Sequence, residues 1–440
     1  MKKILVLGSG LVSRPGVKYL LNQKDISVTI ASNEFDKASE LINGFSNGNA
    51  VQINANNNED LANVISRCDI TISLLPWTFH IKAAELCLKY NKHFVTASYV
   101  SEGIKKLDNE VKHKNLIFLN ELGLDPGIDH MSAMKLIDKI NSEKGKIIHF
   151  YSYCAGLPAP ENNDNPFGYK FSWSPRGVLL ASKNSARYEE DGKLKEIKSK
   201  DLFLNYELDE VDGVGKLEVY PNRDSTHYKK MYGLNSSLTV KRGTYRYPGW
   251  CETLSKIVDL GLIDETPVNQ IKNPTYLRMM ANLVNCNPND NIILKVAEKI
   301  NLPIDHPVMQ RLSWLGLFNE DNVPPVKTRL DILSNLLQKK LVYKDGEKDM
   351  VILKHKLIVE NKDNSKDLIT STLINYGIPY GDTAMSRTVS LPLAIGTKLI
   401  AEEKIKSRGV LIPTINEIYE PVLNELESLN IGMKEKREKI

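Results

Sequence analysis

The sequence offers little that would tie it to a metal, a membrane or a nucleic acid. It has five cysteines in 440 residues: Cys68, Cys87, Cys154, Cys251 and Cys286. They are odd in number and far apart, and no C-x-x-C occurs, which argues against a disulfide framework and against a zinc site. Reduced thiols in a cytoplasmic protein are the expectation, and no metal is expected. No stretch reaches the ~18 uncharged apolar residues that a membrane span needs. The opening residues 1–7 resemble the start of a secretory signal, but the apolar run is too short and Gly8 interrupts it, so a first strand is expected there. Charge excess is missing too. The 58 basic and 54 acidic residues leave a net charge of +4, which is no footprint for nucleic acid or an anionic membrane. The Lys/Glu-rich stretch 433–439 alternates in sign and reads as a solvated helix end or a frayed tail. No internal repeat or low-complexity tract is evident.

What is present is an ordinary globular composition, 42% hydrophobic and 25% charged. Such a chain buries a large core without disulfides or metals, in two or three domains of roughly 100–200 residues each. The first 120 or so residues alternate strand patterns (4–7, 27–31, 70–75, 93–95, 116–119) with amphipathic helix patterns (15–21, 35–44, 58–67, 81–90). That alternation predicts an α/β fold, a Rossmann doubly wound parallel sheet. Longer strand patterns follow at 147–153, 216–220, 238–247, 350–359 and 368–373, separated by Gly/Pro/Asn turns. They predict a second, central α/β domain with a mainly antiparallel sheet. Helix spacing at 251–260, 276–283, 290–299 and 326–337 predicts a small all-helical insertion in it. Further helices are expected at 388–402 and near 420–429.

The run Ile4-Leu5-Val6-Leu7-Gly8-Ser9-Gly10-Leu11-Val12-Ser13 is a strand entering a glycine-rich turn. Gly8 permits the tight turn and Gly10 lets the backbone approach a pyrophosphate. The helix that follows offers unpaired N–H groups and a positive dipole end. Ser13 holds the third fingerprint position in place of Gly or Ala and is still small. By itself G-x-G-x-x-S is a weak signal, equally compatible with an ordinary βα turn. Its context is right for a dinucleotide: first strand, first helix, and a second strand about 20 residues on. That strand ends at Ser32-Asn33-Glu34. An acidic residue there would hold the ribose of NAD and an Arg would favour NADP. Asn33 is neither, and with no basic neighbour beside it the reading is NAD or NADP with a slight lean to NAD. Asn54-Ala55 border the adenine in this reading. Leu75 closes the fourth strand, and Pro76 and Trp77 shape the nicotinamide side.

Five blocks are dense in special residues: GLDPGIDH (123–130), GLPAPE (156–161), GYKFSWSPRGVLL (168–180), YPNRDST (220–226) and RGTYRY (242–247). With Ser98-Tyr99 and Glu347-Lys348-Asp349-Met350, they resemble the blocks of the glutamate-forming saccharopine dehydrogenases over nearly the whole chain. The resemblance implies a Rossmann domain at 1–123 completed by about 385–440. It implies a substrate and dimerisation domain at 124–384, with the helical insertion at 252–345. It also implies an oxidoreductase acting on CH–NH groups. Saccharopine, NAD(P)+ and water give L-glutamate, 2-aminoadipate 6-semialdehyde and NAD(P)H, reversibly, in lysine metabolism. Dinucleotide contacts are implied for Ser9, Gly10, Leu11, Val12, Ser32, Asn33, Asn54, Ala55, Leu75, Ser98, Tyr99, Leu124, Asp125, Pro126 and Ser174. Saccharopine contacts are implied for Ser98, Tyr99, Asp125, Arg223, Thr244, Tyr245 and Arg246. The usual Cys-Gly-Gly-Leu-Pro block reads Cys154-Ala155-Gly156-Leu157-Pro158 here, one methyl larger.

Residue chemistry agrees with the resemblance. Saccharopine carries three carboxylates, and Arg is the natural bidentate partner of a carboxylate, which suits Arg223 and Arg246. Asp125 is the first candidate to orient the amine or water, with Tyr99 and Cys154 as further hydrogen-bonding groups or proton carriers. His80 and His130 read as structural. Two other functions stay open. A related imine reductase such as carboxynorspermidine dehydrogenase would share the nucleotide turn but lack the Arg223 and Arg246 blocks. A non-catalytic NAD(P)-binding sensor would bind cofactor without saccharopine-dependent reduction. A homodimer is left open as the assembly.

Overall fold

The apolar run at residues 4–7 suits a strand covered on both faces, and it becomes one. In the computed structural model, which describes residues 1–265, 275–324 and 328–440, β1 (Lys2–Leu7) lies inside a parallel sheet. Ile4, Leu5, Val6 and Leu7 are all buried. β2 (Ile26–Ser32) and β3 (Gly48–Gln52) continue the sheet on one side of β1. β4 (Ile70–Ser73), β5 (His93–Thr96) and β6 (Ile117–Leu119) continue it on the other, all in parallel. Helices Arg14–Leu21, Phe35–Ile42, Asn58–Ser66 and His80–Lys89 make the crossovers. This is the doubly wound arrangement that the alternating pattern predicts, and every strand of the six ends at the same edge.

The chain divides into two packed units, one of residues Met1–Ile147, Met231–Gly233 and Leu353–Ile440, the other of Ile148–Lys230 and Leu234–Ile352. The second holds most of β7 (Lys146–Pro158), with β8 (Ala186–Glu190), β9 (Lys193–Ile197), β10 (Glu207–Val211), β11 (Gly215–Pro221) and β12 (Thr239–Arg246). β8–β9, β10–β11 and β11–β12 pair antiparallel, while β12 runs parallel to β7. The sheet is therefore mixed, with antiparallel pairs in the majority. Helices Trp250–Asp259, Tyr276–Leu283, Ile292–Lys299, Pro307–Leu315 and Arg329–Lys340 follow. The first of them buries Trp250, Leu254 and Ile257, one face at helix spacing. Of the helix expected at 326–337, Val326 and Lys327 lie outside the described residues, as do residues 266–274 of the expected insertion.

β13 (Asp349–Glu360) carries the chain back into the first unit, where β14 (Lys366–Tyr376) follows. β15 (Gly409–Leu411) adds beside β6 and brings the parallel sheet to seven strands. Helix Asn416–Ser428 packs on helix Ile128–Ser142. Packing thus takes the first unit well past residue 123. One expectation is corrected. The stretch read as a helix end or frayed tail is strand β16 (Lys434–Lys439), antiparallel to β14 with Leu368 opposite Glu438. Alternating charge fits an edge strand exposed on both faces as well as a helix end. Here Arg437 bonds Asp367 at 2.6 Å and Glu143 at 2.7 Å.

Helix Ala384–Ala401 lies against helix Arg14–Leu21, and Gly16 sets their distance. A Cβ at Gly16 would stand 2.6 Å from the Ser390 carbonyl oxygen, and the Gly16 N–H donates to Ser390 Oγ at 2.9 Å. Gly16→Ala is therefore expected to destabilise the chain by about 1–3 kcal/mol through overpacking. A thermal midpoint equal to that of the parent protein would contradict this close approach.

Candidate active site

The carboxyl edge of the parallel sheet gathers most of the expected dinucleotide residues, because each follows a strand of that sheet. Ser9, Gly10, Leu11 and Val12 follow β1, and Ser32 and Asn33 close β2. Asn54 and Ala55 follow β3, and Leu75 follows β4, two residues beyond its last paired position. Ser98 and Tyr99 follow β5, and Leu124, Asp125 and Pro126 lie in the loop after β6. Ser174 is placed in the second unit, where it caps helix Pro175–Ala181 by accepting from the Gly177 N–H at 3.2 Å.

The β1 turn is built to present backbone. Gly8 adopts φ +107°. Ser9 is buried and its Oγ pairs with Ser32 Oγ at 2.8 Å, tying the β1 turn to the end of β2. Ser13 closes the turn, donating from Oγ to the Gly10 carbonyl at 2.8 Å. A Cβ on Gly10 would meet nothing within 4 Å, so the space beside this backbone is open. Leu11 and Trp77 leave 73% and 75% of their surface exposed at the same edge, which rules out Trp77 as core packing. A bare peptide surface at a helix start, flanked by exposed apolar side chains, fits a dinucleotide. At β2, Asn33 is exposed, and Glu34 is paired with Lys37 at 2.5 Å, so the Glu34 charge is offset by a neighbouring cation.

The loops after β5 and β6 meet through side chains. The Tyr99 hydroxyl donates to Asp125 Oδ1 at 3.0 Å, and both residues are partly exposed. The turn carrying Asp125 is very tight. Its Asp125–Pro126 peptide is cis and Gly127 has φ +146°. A Cβ on Gly127 would lie 2.0 Å from the Gly123 carbonyl oxygen, so only glycine fits. Asp129 holds the turn from inside, its Oδ1 accepting from the Gly127 N–H at 2.6 Å and the His130 N–H at 2.8 Å. Ser98 is fixed by His80. The imidazole bridges Ser73 Oγ (Nδ1, 2.9 Å) and Ser98 Oγ (Nε2, 2.8 Å), and burial lowers its pKa to about 4, keeping the ring neutral.

In the second unit, strand alternation sorts the RGTYRY block. Tyr245 points into the packing: its ring is fully buried, edge-on to Tyr153, and its hydroxyl donates to Asp209. Burial and the Asp209 carboxylate push its pKa far above the usual tyrosine range. Thr244 and Arg246 lie on the opposite face. Cys154 on β7 is buried and in register with Thr244. Arg246 is 5% exposed, its guanidinium 5.1 Å from the Tyr169 ring centroid, 5.8 Å from Tyr220 and 5.3 Å from Trp250. One NH donates to the Tyr245 carbonyl at 2.7 Å, while the buried Nε has no hydrogen-bond partner. Among the described residues no carboxylate pairs with this cation. A buried guanidinium in an aromatic box with an unused donor has the chemistry to take an anion. Arg223 is exposed on the turn after β11, with φ +53°. Elsewhere in the unit, buried Lys170 joins two of the sequence blocks by bonding Asp164 and Glu347, each at 2.7 Å.

Sequence reasoning did not assign site roles to Ser73, Glu121 or Tyr232, and it took His80 and His130 as structural. His80 touches Ser98 directly. Its place at the start of the helix after β4 was the available signal.

Two family models match the chain: the saccharopine dehydrogenase NADP binding domain over residues 4–119, and the saccharopine dehydrogenase C-terminal domain over 123–431. The chain is 37% identical to a saccharopine dehydrogenase [NADP(+), L-glutamate-forming] of Schizosaccharomyces pombe, covering 99% of both chains. It is also 37% identical to the mitochondrial alpha-aminoadipic semialdehyde synthase of Bos taurus, over 98% of this chain and 47% of that one. The solved apo structure of the L-Glu-forming saccharopine dehydrogenase of Saccharomyces cerevisiae superposes with a TM-score of 0.91 at 36% identity, covering all of both chains. The slight lean to NAD finds no support here, since the matched binding-domain model and the yeast-type relative both carry NADP in their names.

The depressed pKa of His80 has a consequence for stability. Unfolded, the imidazole titrates near 6.5, so the unfolded chain binds the extra proton first as pH falls. The stabilisation is complete above pH ~6.5 and is lost toward pH ~4, on the order of 3 kcal/mol for this one group. His80→Gln is expected to flatten the fall of the thermal midpoint between pH 6.5 and 4 relative to the parent. Parallel pH curves for the two proteins would refute the buried neutral imidazole.

Proposed function

The chain belongs to the saccharopine dehydrogenase family, and from that premise we propose the following reading of its activity and site. The protein is an L-glutamate-forming saccharopine dehydrogenase, an oxidoreductase acting on CH–NH groups in lysine metabolism. It converts saccharopine, oxidised nicotinamide dinucleotide and water to L-glutamate, 2-aminoadipate 6-semialdehyde, the reduced dinucleotide and a proton, reversibly. The observation that carries the substrate is Arg246, a buried cation with an unpartnered Nε, suited to one carboxylate of a tricarboxylate. Arg223 takes another carboxylate, and Thr244 adds a hydroxyl. Tyr245 backs the strand that carries them and does not offer its hydroxyl.

The cofactor is a nicotinamide dinucleotide, held by the backbone of Ser9, Gly10, Leu11 and Val12, with Asn33 at the ribose, Asn54 and Ala55 at the adenine, and Leu75 beyond β4. When bound, it accepts hydride from the carbon beside the substrate's secondary amine. The chain's own groups govern the proton. The Tyr99–Asp125 pair orients the amine so that its lone pair is free, and then the water that adds to the imine. Donation from the Tyr99 hydroxyl at 3.0 Å fixes Asp125 Oδ1 and so the direction in which the carboxylate meets amine or water. Cys154, beside Thr244, lines the site as a buried thiol. We further propose NADP as the working cofactor. Asn33 does not repel a 2′-phosphate, and Lys37 offsets Glu34. The second unit serves as the substrate and dimerisation domain, and sedimentation gives the number of chains. Among the described residues none of the five cysteines forms a disulfide, which suits the reducing cytoplasm.

Saccharopine with NADP should give a rise in absorbance of the reduced nicotinamide, with glutamate as product. No rise with NADP or NAD overturns the activity, and lysine as product overturns the direction of cleavage. Asp125→Asn should lower kcat by about 10²–10⁴-fold, the range for a lost acid–base group, with the thermal midpoint held. A full-rate variant excludes Asp125. Asn33→Arg should raise the ratio of kcat/KM for NADP over NAD, and an unchanged ratio removes Asn33 from the ribose.

A further inference from the structure

Behind the Tyr99–Asp125 pair lies a buried polar chain with no assigned role. Glu121 follows β6 with φ +57° and a buried side chain. Its N–H donates to the Ser98 carbonyl at 3.0 Å, and its Oε1 accepts from the Val100 N–H at 3.0 Å. One residue therefore bonds the main chain on both sides of Tyr99. Its other oxygen, Oε2, lies 2.8 Å from His130 Nε2, and His130 Nδ1 lies 2.7 Å from the Tyr232 hydroxyl. The His130 and Tyr232 rings meet edge-on with centroids 5.8 Å apart. A ring N–H donating to the carboxylate leaves Nδ1 to accept from Tyr232. Tyr232 comes from a three-residue excursion: Met231–Gly233 packs in the first unit while the residues on either side of it belong to the second. His130 directly follows Asp129, the residue that holds the Asp125 turn.

We propose that Glu121 is a positioning residue for the reaction: its carboxylate, oriented by His130 and Tyr232, clamps the main chain around Tyr99 and aims the Tyr99 hydroxyl at Asp125. The role rests on the reading of Tyr99 and Asp125 given above. A core carboxylate with a purely packing role would bond wherever donors lie. This one brackets Tyr99, whose hydroxyl donates to Asp125, and its other oxygen meets a histidine fixed from behind. Displacing a reacting group by about 1 Å costs up to ~10²-fold in rate, so a loosened Tyr99 loop is visible in turnover.

The test is a double-mutant cycle on the full chain with saccharopine and NADP. Glu121→Ala is expected to lower kcat by ~10–100-fold with both KM values changed less than ~3-fold. Glu121→Gln keeps an acceptor for Val100 and is expected to stay within ~3-fold of the parent. In a Tyr99→Phe background the Glu121→Ala change should cost at most ~3-fold more, because its effect runs through Tyr99. An equal loss in both backgrounds, or a Gln variant as impaired as Ala, overturns the proposal. If Glu121→Ala does not fold, Tyr232→Phe removes one hydroxyl and decides instead. It should lower kcat by ~3–10-fold in the parent and not in Tyr99→Phe, and an unchanged kcat overturns the proposal. If the parent does not oxidise saccharopine, the activity reading has failed, and the clamp is judged by amide exchange at Val100. That amide should be protected in the parent and in Glu121→Gln and exchange at least ~10-fold faster in Glu121→Ala or, where Ala does not fold, in Tyr232→Phe. Equal exchange overturns the clamp.

Discussion

Asp125 can face Tyr99 only because the backbone between Gly123 and Gly127 folds back on itself more closely than any side chain at 127 would permit. Two glycines in near contact, a cis Asp125–Pro126 peptide and the Asp129 carboxylate beneath them fix the turn. The carboxylate is thereby held at a loop apex without needing a helix or strand of its own. The opposing loop, after β5, is held by other means: His80 on Ser98, and Glu121 on the peptides flanking Tyr99. Both loops spring from the carboxyl edge of the parallel sheet, the edge where the β1 turn presents its bare backbone. Sheet topology thus brings the nucleotide turn and the Tyr99–Asp125 pair to one place, and local contacts set their aim.

The parallel sheet was readable from the chain because burial on both faces demands uninterrupted apolar runs, as at residues 4–7. The glycine-rich β1 turn was readable from its context, a G-x-G-x-x-S run between the first strand and the first helix with a second strand about 20 residues on. The Gly/Pro/Asp density of 123–130 signalled an unusual turn before its geometry was known. Other features were illegible. Nothing adjacent to Glu121 in sequence announces a left-handed backbone or a bond to Val100, because both depend on where β5 and β6 lie. Tyr232 looks like any helix-end aromatic until Met231–Gly233 is seen to pack apart from its neighbours.

Two residues show how far residue type can mislead about role. Tyr245 and Arg246 are adjacent in a block that reads as one substrate-binding unit. Strand alternation sends them to opposite faces, one hydroxyl committed to Asp209 and one guanidinium left with a free donor. The stretch 434–439 shows the converse problem. Alternating charge is as compatible with a two-faced exposed strand as with a solvated helix, and only the apolar and polar partners on β14 decide between them.

That last strand bears on how the protein behaves when concentrated. A sheet margin with unsatisfied amides invites a neighbouring molecule to add its own strand, the first step toward fibres. Here the outermost strand of its sheet carries Lys434, Glu435, Lys436, Arg437, Glu438 and Lys439, all exposed. A stranger docking along that margin would have to desolvate six ionised side chains at once, a cost that keeps the enzyme dispersed.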